Sequence, residues 1–355
     1  MTIEEKKAFL KAHVFKNGEN FISPESCDCL TYLKLMRNGV QLCQKYNNEI
    51  DFLLVDGSMR QAVAIHNPKV VVVYKGLIEH ILRLASMICA TLDAPTPRPA
   101  NWIAPWRTLG YEDWLRSGGF DLKNKEYWWL FCAEHRLCFD YYVENLFEFV
   151  VLHEIGHIFH KHGWRRTVRK NSSLVVHDCA TNVHQSNKIN DDISADERIA
   201  AHAREIVADT FAFNQLAKKW RQLQEQYGEA PSQHGAMLEA LINALLLGAP
   251  FFWSLGVIHR MNERTQKNPY PTHMFRLHAV ESDALRLAHE WGTPHGSFIL
   301  NGTMKSNTKL IADITGDDSH LLSRLEMNEE VHGSHYKLII EEKHNWENFP
   351  EYSHR

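Results

Sequence analysis

The stretch Val150-Val151-Leu152-His153-Glu154-Ile155-Gly156-His157-Ile158-Phe159-His160 decides how this chain is read. It sets His-Glu-x-x-His inside an apolar run compatible with a helix. One helical turn separates His153 from His157, so both project from the same face. Two imidazoles so placed can hold one zinc ion, and Glu154 beside them can take a proton from a water that the metal activates. The pattern is short and the chain has 22 histidines, so accidental matches are a real risk. A third ligand, outer partners and a substrate surface must come from elsewhere in the sequence.

The helix carrying the motif is expected over about Tyr141 to Lys161. Phe147, Val150, Val151, Ile155, Ile158 and Phe159 make it apolar nearly all round, as a buried helix is, and Gly163 is placed to end it. Residues 164–193 read as polar coil. The basic run Trp164-Arg165-Arg166-Thr167-Val168-Arg169-Lys170 is read as a solvated face, with an anionic partner as the alternative. Ser194-Ala195-Asp196-Glu197 then forms a capping box and opens a helix running to about Trp220.

A catalytic zinc needs three protein ligands and one open position. Glu205, on that second helix, is the best third ligand. Asp209 lies one turn further on the same face, placed to accept the outer N–H of a ligand histidine and so fix its tautomer. Two carboxylates on an apolar helix are costly without a metal or a partner; the alternative is that they form surface pairs with Arg198 or Arg204. His160 is a rival third ligand, but three side chains of one helix converge poorly on a single ion. The longer metzincin pattern is absent, because position 160 is His and position 163 is Gly.

Upstream, residues 1–49 look largely helical, with a turn at Ile22 to Ser26 and Ser23 or Ser26 capping a helix through Leu30, Leu33, Leu35 and Met36. Cys27-x-Cys29 lacks a second pair and is read as ordinary cysteine. Strands are expected at Ile50–Val55, Gln61–Ile65 and Val70–Tyr74, the last with four β-branched residues in a row. A helix follows over Leu77–Ala90. The Pro- and Trp-rich segment 95–114 reads either as a cover over the site or as aromatic packing on the core. Downstream, 240–258 carries no charged residue and is read as a buried helical hairpin interrupted at Gly248-Ala249-Pro250, with a membrane span as the alternative. Another helix opens at Tyr270 to Arg276. The polar segment 291–355 is left unassigned.

With 355 residues, 44% hydrophobic and 23% charged, the chain is globular in composition. A formal charge of -4 argues against nucleic-acid binding through phosphate neutralisation. Seven cysteines without paired spacing, and no apolar leader, point to reduced thiols in a cytoplasmic protein.

His153-Glu154-x-x-His157 followed by Glu205-x-x-Ala208-Asp209 resembles the gluzincin metallopeptidases. Val70-Val71-Val72-Val73-Tyr74-Lys75-Gly76-Leu77-Ile78 resembles the strand and helix start before the zinc helix in the CAAX-prenyl-protease and heat-shock-protease group. Thr272-His273 with Arg276 resembles that group's downstream Thr-His-Pro…Arg element, although here the proline comes first, at Pro271. The overall layout is most similar to the Lit-type phage-exclusion peptidases. The resemblance implies a zincin-like α+β fold, mainly helical, with a small mixed sheet whose edge strand borders the active-site cleft. The resemblance covers roughly residues 60–280; the chain is read as an N-terminal helical segment (1–49), a metallopeptidase domain (50–290) and a C-terminal extension of unassigned role (291–355). It further implies one zinc per chain held by His153, His157 and Glu205, with Glu154 as general base and Asp209 behind the ligands. Val72, Val73 and Tyr74 would be the edge that pairs with a peptide or protein substrate, and His273 or Arg276 the oxyanion donor. Two alternatives stand beside this: a metal-stabilised binding or regulatory protein without turnover, and a protease anchored in a membrane by 240–258.

Overall fold

A computed structural model describes residues 1–15, 19–91, 99, 101–163, 165, 177–179, 194–227, 233–259, 270–293, 295–316, 318 and 333–347. The fold is α+β: mainly helical, with one small mixed sheet.

The strands are β1 (Asn20–Ile22), β2 (Asp51–Asp56), β3 (Ala62–His66), β4 (Lys69–Tyr74) and β5 (His177–Cys179), in the spatial order β1-β2-β4-β3-β5. β2 runs parallel to β4; the pairs β1/β2, β3/β4 and β3/β5 are antiparallel. The valine run of β4 is buried on both faces, as expected of a central strand. Val71 and Val73 enter the main core, while Val70, Val72 and Tyr74 enter a smaller one capped by Leu10 and Phe15. β4 is therefore not the edge strand read for Val72, Val73 and Tyr74. Its backbone is paired to Leu53, Leu54 and Val55 on one side and to Val63 and Ala62 on the other. Strand strength was visible in the sequence, but the order of strands was not.

The helices before the motif are α1 (Ile3–His13), α2 (Leu30–Tyr46), α3 (Lys75–Thr91), α4 (Pro105–Leu109) and α5 (Tyr111–Arg116). Ser23 caps only the short turn Pro24–Ser26; α2 starts later, behind Cys29, without a side-chain cap. The segment 1–49 is not purely helical: β1 is one edge of the sheet, and Leu35, Met36 and Cys43 of α2 lie in the main core. The described part of the Pro/Trp segment packs instead of covering: Trp106 and Trp114 are buried with Trp129 in that core. Residues 95–98 and 100 of it lie outside the described residues.

The motif helix α6 (Ala133–Phe159) is followed by α7 (Ala195–Tyr227), α8 (Gln233–His259), α9 (His273–Glu290), α10 (Gly296–Thr315) and α11 (Ser334–Glu347). α8 is a single helix with Pro250 inside it, not the hairpin read for 240–258. α7, α9 and α10 pack around it, and these neighbours hold together a helix that Pro250 alone would tend to kink. The window Met237–Ile258 is long and apolar enough to cross a membrane by length and composition, and most of it is buried among the other helices. The basic run 164–170 lies outside the described residues except for Arg165, which stacks over Trp346 of α11.

Candidate metal centre

The centre lies where α6 crosses α7, and the crossing is close because of one residue. A Cβ on Gly156 would stand 3.2 Å from the Ala208 Cα and 3.2 Å from the Phe211 ring. Gly156 lies between the motif histidines, and Ala208 between Glu205 and Asp209. The two smallest residues of the two motifs thus face each other and bring the functional side chains together.

His153, His157 and Glu205 are all buried, and one ligand atom from each lies within 4.8 Å of the other two. The Nε2 atoms of His153 and His157 are 3.1 Å apart. Glu205 offers one oxygen to each ring, with Oε2 3.5 Å from His153 Nε2 and Oε1 3.5 Å from His157 Nε2. Tetrahedral ligands at zinc distances of about 2.0–2.1 Å stand about 3.3 Å from one another, so the spacing suits a small cation. Glu205 Oε2 is buried and makes no hydrogen bond among the described residues. Its nearest donors, His153 Nε2 at 3.5 Å and Arg276 Nη2 at 3.7 Å, stand at ion-pair rather than hydrogen-bond distance, and a bound cation would give it a closer partner. The three residues can hold a metal ion.

The outer nitrogens are also engaged. His153 Nδ1 faces Asp209 Oδ1 at 2.8 Å. Asp209 is in turn clamped by Arg276, which donates through Nε to Oδ2 and through Nη2 to Oδ1, both at 2.7 Å. On the other side, His157 Nδ1 lies 2.8 Å from His162 Nδ1. Glu154 is buried beside the ligands at 1% exposure, so it is not a surface carboxylate that merely happens to fall in the pattern.

Burial opposes charge on all these groups, and their mutual attraction overrides it. Burial pushes the Asp209 carboxyl up, but Arg276 and His153 hold it down at about 2. Against the same desolvation, His157, His153 and Arg276 lower the Glu205 carboxyl. Desolvation pulls His153 down, yet Asp209 and Glu205 raise it to about 10. Arg276 is held charged by Asp209 and Glu205 despite its burial. The metal-free centre thus favours a proton on His153, which a cation at the same donors would replace.

The remaining site readings have definite places. Arg276 was read as an oxyanion donor; its fork is committed to Asp209, so it clamps the residue behind His153 instead. Thr272 caps α9, its hydroxyl accepting from the Phe275 N–H at 3.3 Å, and His273 is the first helical residue, buried at 3%. His160 is the C-cap of α6 and stacks on His162; it is not in the ligand cluster. Burial and Arg165 push it down to about 4. Gly163 does not end α6, which stops at Phe159 with Lys161 at φ +54°. Gly163 is required for another reason: a Cβ there would stand 2.2 Å from the His66 ring, whose Nε2 accepts the Gly163 N–H at 3.2 Å. The surface pairing considered for the carboxylates does not describe them: Glu205 and Asp209 are buried, and Arg204 meets Glu197 instead, at 3.2 Å. The sequence reading missed His162. Its only signal was a fourth histidine in the stretch, just past the helix end, where no spacing rule applies.

No protein-family model matches the chain, and no curated protein or solved structure is significantly similar to it.

Proposed function

We propose that this protein is a zinc-dependent peptide hydrolase of the zincin type. The observation that carries the reading is the donor set: His153, His157 and Glu205 at ligand spacing, with Glu154 buried next to the first of them and Asp209 behind it. Zinc at these donors would supply a Lewis acid for a peptide carbonyl and make a water more acidic. With zinc so held, the Glu154 carboxylate would serve as the base that takes a proton from the attacking water and returns it to the departing amine nitrogen. Asp209 holds His153 in one tautomer, and Arg276 holds Asp209. His273 is the remaining candidate for an oxyanion donor. The edges of the sheet are β1 and β5, so neither β4 nor β3 is assigned to pair with an extended substrate.

The test is direct. Purified protein is expected to carry near one zinc per chain, and Glu154→Gln to keep the metal while losing at least about 100-fold in peptide hydrolysis. Equal cleavage by Glu154→Gln and wild type would sink the mechanism. A second reading, a metal-stabilised binding protein without turnover, is favoured by one observation: the outer edge of β3 is already paired to β5 through Val63, Ala64 and Ile65. It predicts bound metal with no hydrolysis by either protein across a varied peptide library.

A further inference from the structure

His162 lies outside the motif helix, belongs to no recognised pattern and is not one of the candidate ligands. Its Nδ1 is nevertheless 2.8 Å from Nδ1 of His157, and its side chain has no solvent exposure. The tautomer follows from the site. His157 Nε2 faces His153 and Glu205, and a nitrogen that ligates a cation carries no proton. The His157 proton then sits on Nδ1 and donates to His162 Nδ1, which accepts as a neutral imidazole.

His162 is itself held from several directions. Its ring meets Trp346 of α11 edge-on, with centroids 5.4 Å apart at 90°, and stacks on His160 at 5.6 Å and 21°. Its neighbour Gly163 is tied to His66 of β3. Trp346 is fully buried, with the Arg165 and Arg204 guanidinium groups over its ring at 4.3 and 5.1 Å. Arg165 also donates to the backbone carbonyls of Trp346, at 3.0 Å, and Asn345.

We infer that His162 is a positioning residue for the metal ligand His157, and that Trp346 fixes it in place, which makes the helix Ser334–Glu347 part of the metal centre. This rests on the metal reading above but not on peptide hydrolysis. Outer partners of ligand histidines set ring direction and basicity, and their loss typically weakens metal binding 10–100-fold. A neutral imidazole in this role gives His157 a less basic outer partner than the carboxylate behind His153.

The experiment measures zinc affinity by competition with a chromophoric chelator, together with the visible spectrum of the Co2+-loaded protein. His162→Phe keeps an aromatic ring against Trp346 and removes the acceptor. It is expected to bind zinc 10–100-fold more weakly than wild type and to alter the cobalt bands, while the metal-free forms melt alike. His162→Gln, which restores an acceptor oxygen, should recover most of the lost affinity. Trp346→Leu, which leaves the acceptor but loosens its support, should weaken binding less than His162→Phe. If His162→Phe fails to fold, the Gln and Leu variants still decide, since both are expected to bind more weakly than wild type but better than a ligand variant such as His157→Phe. Wild-type affinity in His162→Phe, or in both His162→Gln and Trp346→Leu, overturns the assignment alone. Failure of the wild type to bind zinc or cobalt in stoichiometric amount overturns the metal reading with it.

Discussion

His153 and His157 stand one turn apart on the same helix, yet the protein supports them in unlike ways. Behind His153 is a lattice of full charges: Asp209 from α7, gripped twice by Arg276 from α9. Behind His157 is a second imidazole, His162, backed by the indole of Trp346. The ionic side is stiff and fails abruptly, because removing one buried charge strands the other. The aromatic side is built from several contacts of modest worth, so its losses are graded.

The largest break in this comparison is expected from Arg276→Met. It leaves the Asp209 carboxylate buried and half-compensated, and should cost about 3–5 kcal/mol of stability by denaturant titration. Trp346→Leu on the opposite side should cost less in the same titration; equal losses would mean that the two supports do not differ in kind. A smaller effect is expected from Gly156→Ala, which forces a methyl into the α6–α7 contact that both sides share. Overpacking of this sort costs about 1–3 kcal/mol and should weaken zinc binding through both histidines at once. Unchanged zinc affinity in Gly156→Ala would show that the crossing distance does not control the centre.

The smallest expected effect is a pH dependence confined to the His157 side. His160, stacked on His162, is pushed down to about 4 by burial and by Arg165. A histidine lowered on folding contributes stability that is complete above the ordinary value of about 6.5 and is lost as pH falls from there toward 4. Metal-free protein should therefore lose stability over this range, and His160→Leu should flatten that part of the curve. A slope unchanged by the substitution would assign the acid sensitivity elsewhere.

Both halves of the ligand set were legible because helical spacing is a local rule. His153 with His157, and Glu205 with Asp209, each need only one turn of regular backbone to share a face. The β4 valines were legible as a strand for the same local reason, but pairing order depends on distant chain, so a central strand was read as an edge. Arg276 was found but its bond to Asp209 was not, since sequence shows a cation without showing which carboxylate it meets. His162 reaches His157 only because α6 stops at Phe159 and the chain turns through Lys161 at positive φ. Trp346 arrives from a segment that looked featureless. The apolar run at 240–258 was read as two helices because Pro250 breaks isolated helices more readily than packed ones.

The Gly156–Ala208 contact bears on how a mutational map of this protein would look. A side chain at Gly156 would press on the Ala208 backbone, and Ala208 is itself fully buried, so a larger residue at either position would have to displace its neighbours. A full substitution scan read out by metal retention should show intolerance at Gly156 and Ala208 comparable with that at the ligands themselves. Two residues with no chemistry to offer would then be scored as functional, when what they provide is the absence of a side chain.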